Sequence, residues 1–105
     1  MRWLSYTNAA GHDGRWLRAA EAAGVSEVAR SARGFMSVYA LAGSAADTRR
    51  VPFSATQTWG QRRDNFVRRH LAQYEKNPTP KRALALRMWV YDTGDGMADS
   101  LLLHK

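Results

Sequence analysis

The stretch from Thr58 to Asp92 constrains the fold more than any other part of the chain. It reads as two helices joined by a proline turn, the first basic and amphipathic, the second apolar nearly all round. Thr58 and Gln61 have capping-box spacing, so the hydroxyl can accept from the third amide while the glutamine reaches back. At about 100° per residue, Trp59, Phe66, Val67, His70, Leu71 and Tyr74 fall on one broad side. Arg62, Asn65, Arg69, Gln73 and Lys76 form a second, polar stripe at steps of three and four. Asn77-Pro78 ends the helix, because proline disfavours helical geometry in the residue before it. Thr79-Pro80 restarts one, with Thr79 as N-cap and Pro80 at the first helical position, where no amide is needed.

In the second helix Leu84, Leu86, Met88 and Val90 also alternate with Ala85, Arg87, Trp89 and Tyr91, as in a half-buried strand. The start signal and the Ala and Leu content favour helix over residues 83–91. Only Arg87 interrupts its apolar surface beyond the first turn, so this helix belongs in the middle of a small core.

Upstream, the first twelve residues offer Trp3, Leu4 and Tyr6 as a short strand or an arm packing its aromatics onto the body. Asp13 can cap a helix over residues 14–23, in which Trp16, Leu17, Ala20 and Ala23 repeat at helical spacing, and Gly24 is a natural stop. Ser26 opens a further helix to Gly43, with Val28, Ala32, Phe35, Met36 and Tyr39 along its core side. Residues 44–57 form the one extended loop, pinned by Val51-Pro52-Phe53, with Arg49 and Arg50 exposed. Thr93-Gly94-Asp95-Gly96 is a turn. Residues 97–104 then make a last short helix through Leu101, Leu102 and Leu103, or a tail. At 105 residues the expectation is one domain, a mostly α bundle of four to five helices with a short N-terminal strand or arm.

The net charge of +7 is unevenly placed. Residues 49–87 carry ten Lys/Arg against Asp64 and Glu75, while residues 88–105 carry Lys105 against Asp92, Asp95 and Asp99. Concentrated positive charge favours polyanions through counterion release and steering, although arginine on an outer helix face is often only solvated surface. Arg62, Arg69 and Lys76 recur at seven residues, about 10 Å of rise each, so all three can face one ligand. Asn65 lies on the same stripe. Arg49 and Arg50 on the preceding loop, and Lys81 and Arg82 at the next helix start, extend the patch. Arg68 lies off the stripe and Arg63 near its apolar edge.

Catalytic and metal chemistry find little support in the sequence. There is no cysteine, and His12, His70 and His104 are too far apart for ligand spacing. His70, among apolar neighbours, reads as a semi-buried structural histidine. No Gly-x-Ser-x-Gly elbow or phosphate-cradling glycine loop occurs. Asp92-Thr93-Gly94 reads as a turn, and Asp92, Asp95 and Asp99 miss the calcium-loop pattern for want of its bidentate Glu. A helix-turn-helix reader would need polar side chains on its second helix, where this chain has Leu, Met, Trp and Val. No apolar run approaches the roughly 20 residues of a membrane span. The chain is expected to be soluble, non-catalytic and without a cofactor.

The run Trp59-x-x-Arg62-Arg63-x-x-Phe66-x-x-Arg69-His70, then Asn77-Pro78-Thr79-Pro80, Ala83-Leu84-Ala85-Leu86 and Met88-Trp89, resembles small uncharacterised basic proteins encoded by bacteriophages and prophages. Ala32-Arg33-Gly34-Phe35 is similar too, and the resemblance covers residues 30–92. It implies a phage-related setting in a bacterial host and carries no assigned activity, while the absence of cysteine suits a reducing cytoplasm. The resulting expectation is a binding protein whose basic face contacts nucleic-acid backbone with little sequence preference. The alternative is a protein–protein module using the same patch on an acidic partner, as an inhibitor of a host or defence protein or as a virion component. A membrane-surface role through Trp59 and Phe66 needs those aromatics exposed and ranks below both.

Overall fold

A computed structural model describes residues 3, 15–25, 38–39, 41–42 and 44–102, and among them the helix without a polar face occupies the centre. That helix, α4 (Pro80–Met88), packs against α1 (Arg15–Ala22), α3 (Trp59–Lys76) and α5 (Met97–Leu102), while α2 (Ala45–Thr48) lies on α3. Every residue from 83 to 90 is buried. No strand occurs among the described residues, so the protein is mostly α. Its radius of gyration, 12.9 Å, is that of a compact chain of this length.

The proline turn forms as its sequence predicts. Thr58 caps α3, accepting from the Gln61 amide at 3.2 Å, while Gln61 Oε1 accepts from the Thr58 amide at 2.8 Å. Thr79 caps α4 and Pro80 takes the first position. Phe66, Val67 and Tyr74 of α3 are buried, and Trp59 and Leu71 pack against the same core. Ala20 and Val25 close it from the α1 side, and Ala98 from α5. The Phe66 ring stacks on Trp89 at 4.9 Å and on His70 at 4.0 Å.

Two expectations change. The expected extended loop over residues 44–57 contains a helical turn, α2, because the Ser44 hydroxyl accepts from the Asp47 amide at 3.1 Å and donates to the Asp47 carboxylate at 3.0 Å. Its remainder is tied back on itself: Pro52 bridges Thr58, and the Trp59 amide donates to the Val51 carbonyl. Phe53 meets Trp59 edge-on at 4.7 Å and stays 41% exposed. The second change is at α4, which stops at Met88 rather than running to residue 91.

The α4 stop is a Schellman motif. The Val90 amide donates to the Arg87 carbonyl at 3.0 Å and the Tyr91 amide to the Leu86 carbonyl at 3.1 Å. Val90 takes the left-handed position usually given to glycine, with φ of 62°. A β-branched residue there costs on the order of 1–3 kcal/mol and persists only where its surroundings over-determine it. Here the side chain is fully buried and the carbonyl is held by Arg63.

The C-terminal expectation of a short helix is met by α5, and residues 103–105 lie outside the described residues. So do Asp13, most of the expected 26–43 helix, including Val28, Ala32, Phe35 and Met36, and the N-terminal arm other than Trp3. The side chains of Trp16 and Leu17 are likewise outside the description. Tyr39 is buried, and Trp3 packs on it with ring centres 5.4 Å apart.

Candidate functional site

The ten basic residues of 49–87 divide into those used by the fold and those presented outward. Arg63 is fully buried although it belongs to the basic helix. Its Nε–H donates to the Trp89 carbonyl at 2.9 Å, an Nη2–H to the Val90 carbonyl at 3.0 Å, and an Nη1–H to Asp64 Oδ1 at 3.1 Å. These carbonyls lie just past the end of α4, where a cation also complements the helix dipole. The Trp3 ring lies 3.9 Å from the Arg63 guanidinium carbon. Burial pulls the Arg63 guanidinium down to about 10, against the opposing pull of Asp64, so it is charged at neutral pH.

Asp64 is shared. Its Oδ2 accepts from Arg49 Nη2 at 2.9 Å and from Nε at 3.3 Å. Gly60 permits this approach, because a Cβ there would meet Arg49 Cγ at 2.4 Å and two Arg49 backbone atoms at 3.0 Å. Arg87 is also inward and pairs with Asp99 at 2.9 Å and Asp92 at 3.3 Å. The acidic C-terminal stretch therefore neutralises one cation of the central helix. Asp95 instead accepts from the Thr93 hydroxyl and from that of Tyr74, bonds that hold its carboxyl below the usual range, Thr93 the more strongly.

The expected site residues fall into three groups. Arg49 is engaged by Asp64, while Arg50 is 82% exposed and stands 3.8 Å from a half-exposed Asp47, a pairing of negligible strength. Arg62, Asn65 and Arg69 come together, lining a hollow of about 230 Å³ with Gln57, Phe66 and Trp89. Lys76, Lys81 and Arg82 gather at the other end of α3, about 21 Å away along its axis from Arg62. There Arg82 Nη1 donates to the Asn77 carbonyl at 2.8 Å and caps α3, while Lys76 and Lys81 are exposed, the Lys81 ammonium lying over Gly24 at the end of α1.

Arg62 is not simply an outer residue. Its guanidinium carbon lies 4.3 Å from the Phe53 ring centre and 5.8 Å from that of Trp89. A second hollow of about 340 Å³, lined by Thr56, Gln57, Gln61, Asp64, Asn65 and Arg68, shares two walls with the first. Gln57 and Arg68 are additions that the helical stripe does not reveal. Gln57 reaches the face only because its loop folds back, and Arg68 joins by donating to Asn65 Oδ1 at 3.2 Å.

Among the described residues no carboxylate pairs with Arg62, Arg68, Arg69, Lys76, Lys81 or Arg82. His70 lies beside Arg69, and its half-burial and that neighbouring charge hold its pKa below the ordinary value. No three His, Asp or Glu side chains gather as a metal ion requires, and no helix is long and apolar enough to cross a membrane, again among the described residues. No family model, curated protein or solved structure matches the chain.

Proposed function

We propose that this is a small non-catalytic binding protein whose basic helical face contacts nucleic-acid backbone with little sequence preference. The supporting observation is the row of Arg62, Arg68, Arg69, Lys76, Lys81 and Arg82, which runs along α3 and round the proline turn without a carboxylate partner among the described residues. Phosphates spaced along a polymer suit such a row better than one compact anion does, because the charges extend over about 21 Å. The phage-related setting is part of the proposal and rests on the pattern resemblance, and its cytoplasmic location rests on a composition without cysteine.

The test is binding of the full chain to duplex DNA, by fluorescence anisotropy, across a salt series. Affinity should fall with a log–log slope near −0.9 per phosphate contacted. Absence of binding at low salt would remove the proposal.

A second reading has its own observation. Phe53 is 41% exposed with Arg62 laid on its ring, an aromatic–arginine pair of the kind found at protein interfaces. On that reading the same face meets an acidic protein surface, as an inhibitor or a virion component would. Capture from nuclease-treated host lysate separates the two, since a protein partner survives the treatment.

A further inference from the structure

We propose, resting on the nucleic-acid reading above, that the hollow between the 53–57 loop and α3 is a subsite for one unpaired base, so that the protein prefers single strands to duplex. Three observations converge on it.

The first is size and shape. The hollow of about 230 Å³ is smaller than the roughly 300–1,000 Å³ of pockets for drug-sized ligands, and it suits one ring rather than a whole cofactor. Its apolar wall is preformed, because Phe66 and Trp89 stack on each other and are nearly fully buried.

The second is chemistry. The lining holds two guanidinium groups and two carboxamides, and no carboxylate. A carboxamide offers a donor and an acceptor together, as the edge of a base requires. Arg68 engages the Asn65 oxygen, which leaves the amide N–H donors for a ligand. Arg62 is held by Phe53, giving a flat cation on which a base can stack. Arg69 adds a charge for the adjoining phosphate.

The third is continuity. The second hollow shares Gln57 and Asn65 with the first, so a strand leaving one enters the other. Its single carboxylate, Asp64, already faces Arg49 and Arg63 and opposes an anion little. Bases in a duplex are paired and stacked inside the double helix and cannot enter such a recess. A flexible strand can place a base there while its phosphates lie on the arginines.

The experiment compares, at one ionic strength, the full chain binding a short labelled strand, the same strand in a duplex, and the strand with abasic residues. The wild type should bind the intact strand about tenfold more tightly than the duplex, within the range of one stacked base, and the abasic strand should lose that advantage. Gln57→Leu, at a half-buried position, and Asn65→Leu, at an exposed one, both leave the net charge unchanged and should bring the strand-to-duplex ratio towards one while the thermal melt stays cooperative. Equal wild-type affinity for strand and duplex, or a ratio that survives both substitutions, overturns the subsite and leaves the basic face standing. Failure of every nucleic acid to bind at low salt overturns both, and leaves an acidic protein as the occupant to pursue.

Discussion

Arg62 and Arg63 are consecutive residues of one helix and end in opposite surroundings. Arg62 lies across Phe53 at the rim of a hollow, and Arg63 is sealed beneath the end of α4 with all three of its nitrogens donating hydrogen bonds. A step of one residue turns the side chain by about 100°, which here separates solvent from core. Charge density in a segment therefore does not measure charge available to a ligand. Arg49, Arg63 and Arg87 are bound into carboxylate contacts, whereas the α3 outer face and the proline turn keep theirs.

Disrupting the inner side should cost the most stability. Arg63→Met leaves the Trp89 and Val90 carbonyls without their donor and removes one partner of Asp64. It should cost about 3–5 kcal/mol in urea unfolding. A loss below about 1 kcal/mol would show that the buried guanidinium is dispensable to the α4 terminus. Arg62→Gln, by contrast, should stay within about 0.5 kcal/mol of the parent chain.

Next comes the seam between the two sides. Gly60→Ala places a methyl against Arg49 backbone, where relief requires moving the α2–α3 connection away from Asp64. The expected loss is about 1–3 kcal/mol. A stabilisation instead, from the better helix propensity of alanine, would mean that Arg49 yields freely and that its pairing with Asp64 contributes little.

The smallest effect concerns His70, which stacks on Phe66 at the edge of the outer face. Its folded pKa lies below the unfolded value of about 6.5. The unfolded chain therefore takes up the proton first as pH falls. Stability from this group is fully present above about pH 6.5 and is lost as pH drops through the folded value. Melts between pH 7.5 and 5 should show that decline, and His70→Gln should flatten it. An unchanged pH profile in the variant would assign the decline to other groups.

Much of the fold was legible in the residues because local signals agreed with one another. Thr58-x-x-Gln61 and Asn77-Pro78-Thr79-Pro80 each specify a backbone state without help from tertiary contacts, whereas the run over residues 83–91 also alternates as a strand would and reads as helix only from its start signal and its Ala and Leu content. The two Schellman endings mark where this legibility ends. Gly24 ends α1, with φ of 75° and the Val25 amide donating to the Ala20 carbonyl, and glycine announces such a stop. Val90 ends α4 through the same pair of bonds, but a buried valine announces nothing, so the end of that helix is visible only in three dimensions. Ser44-x-x-Asp47 is a cap on a helix too short for periodicity to detect. At the candidate site, Arg62, Asn65 and Arg69 were readable as one stripe. Gln57 was not, because it reaches them through a folded-back loop, and the Arg49–Asp64 pair spans fifteen residues and depends on Gly60.

On this reading, outward arginines bind a polyanion while inward ones hold the fold. The most direct measurement is the salt dependence of duplex DNA binding by the parent chain and by Arg62→Gln/Arg69→Gln, with melting followed in parallel. The double variant should melt with the parent, bind more weakly, and show a log–log salt slope shallower by about 1.8, for two lost phosphate contacts. A slope and affinity unchanged by the two substitutions, or no binding by either chain at low salt, would contradict it.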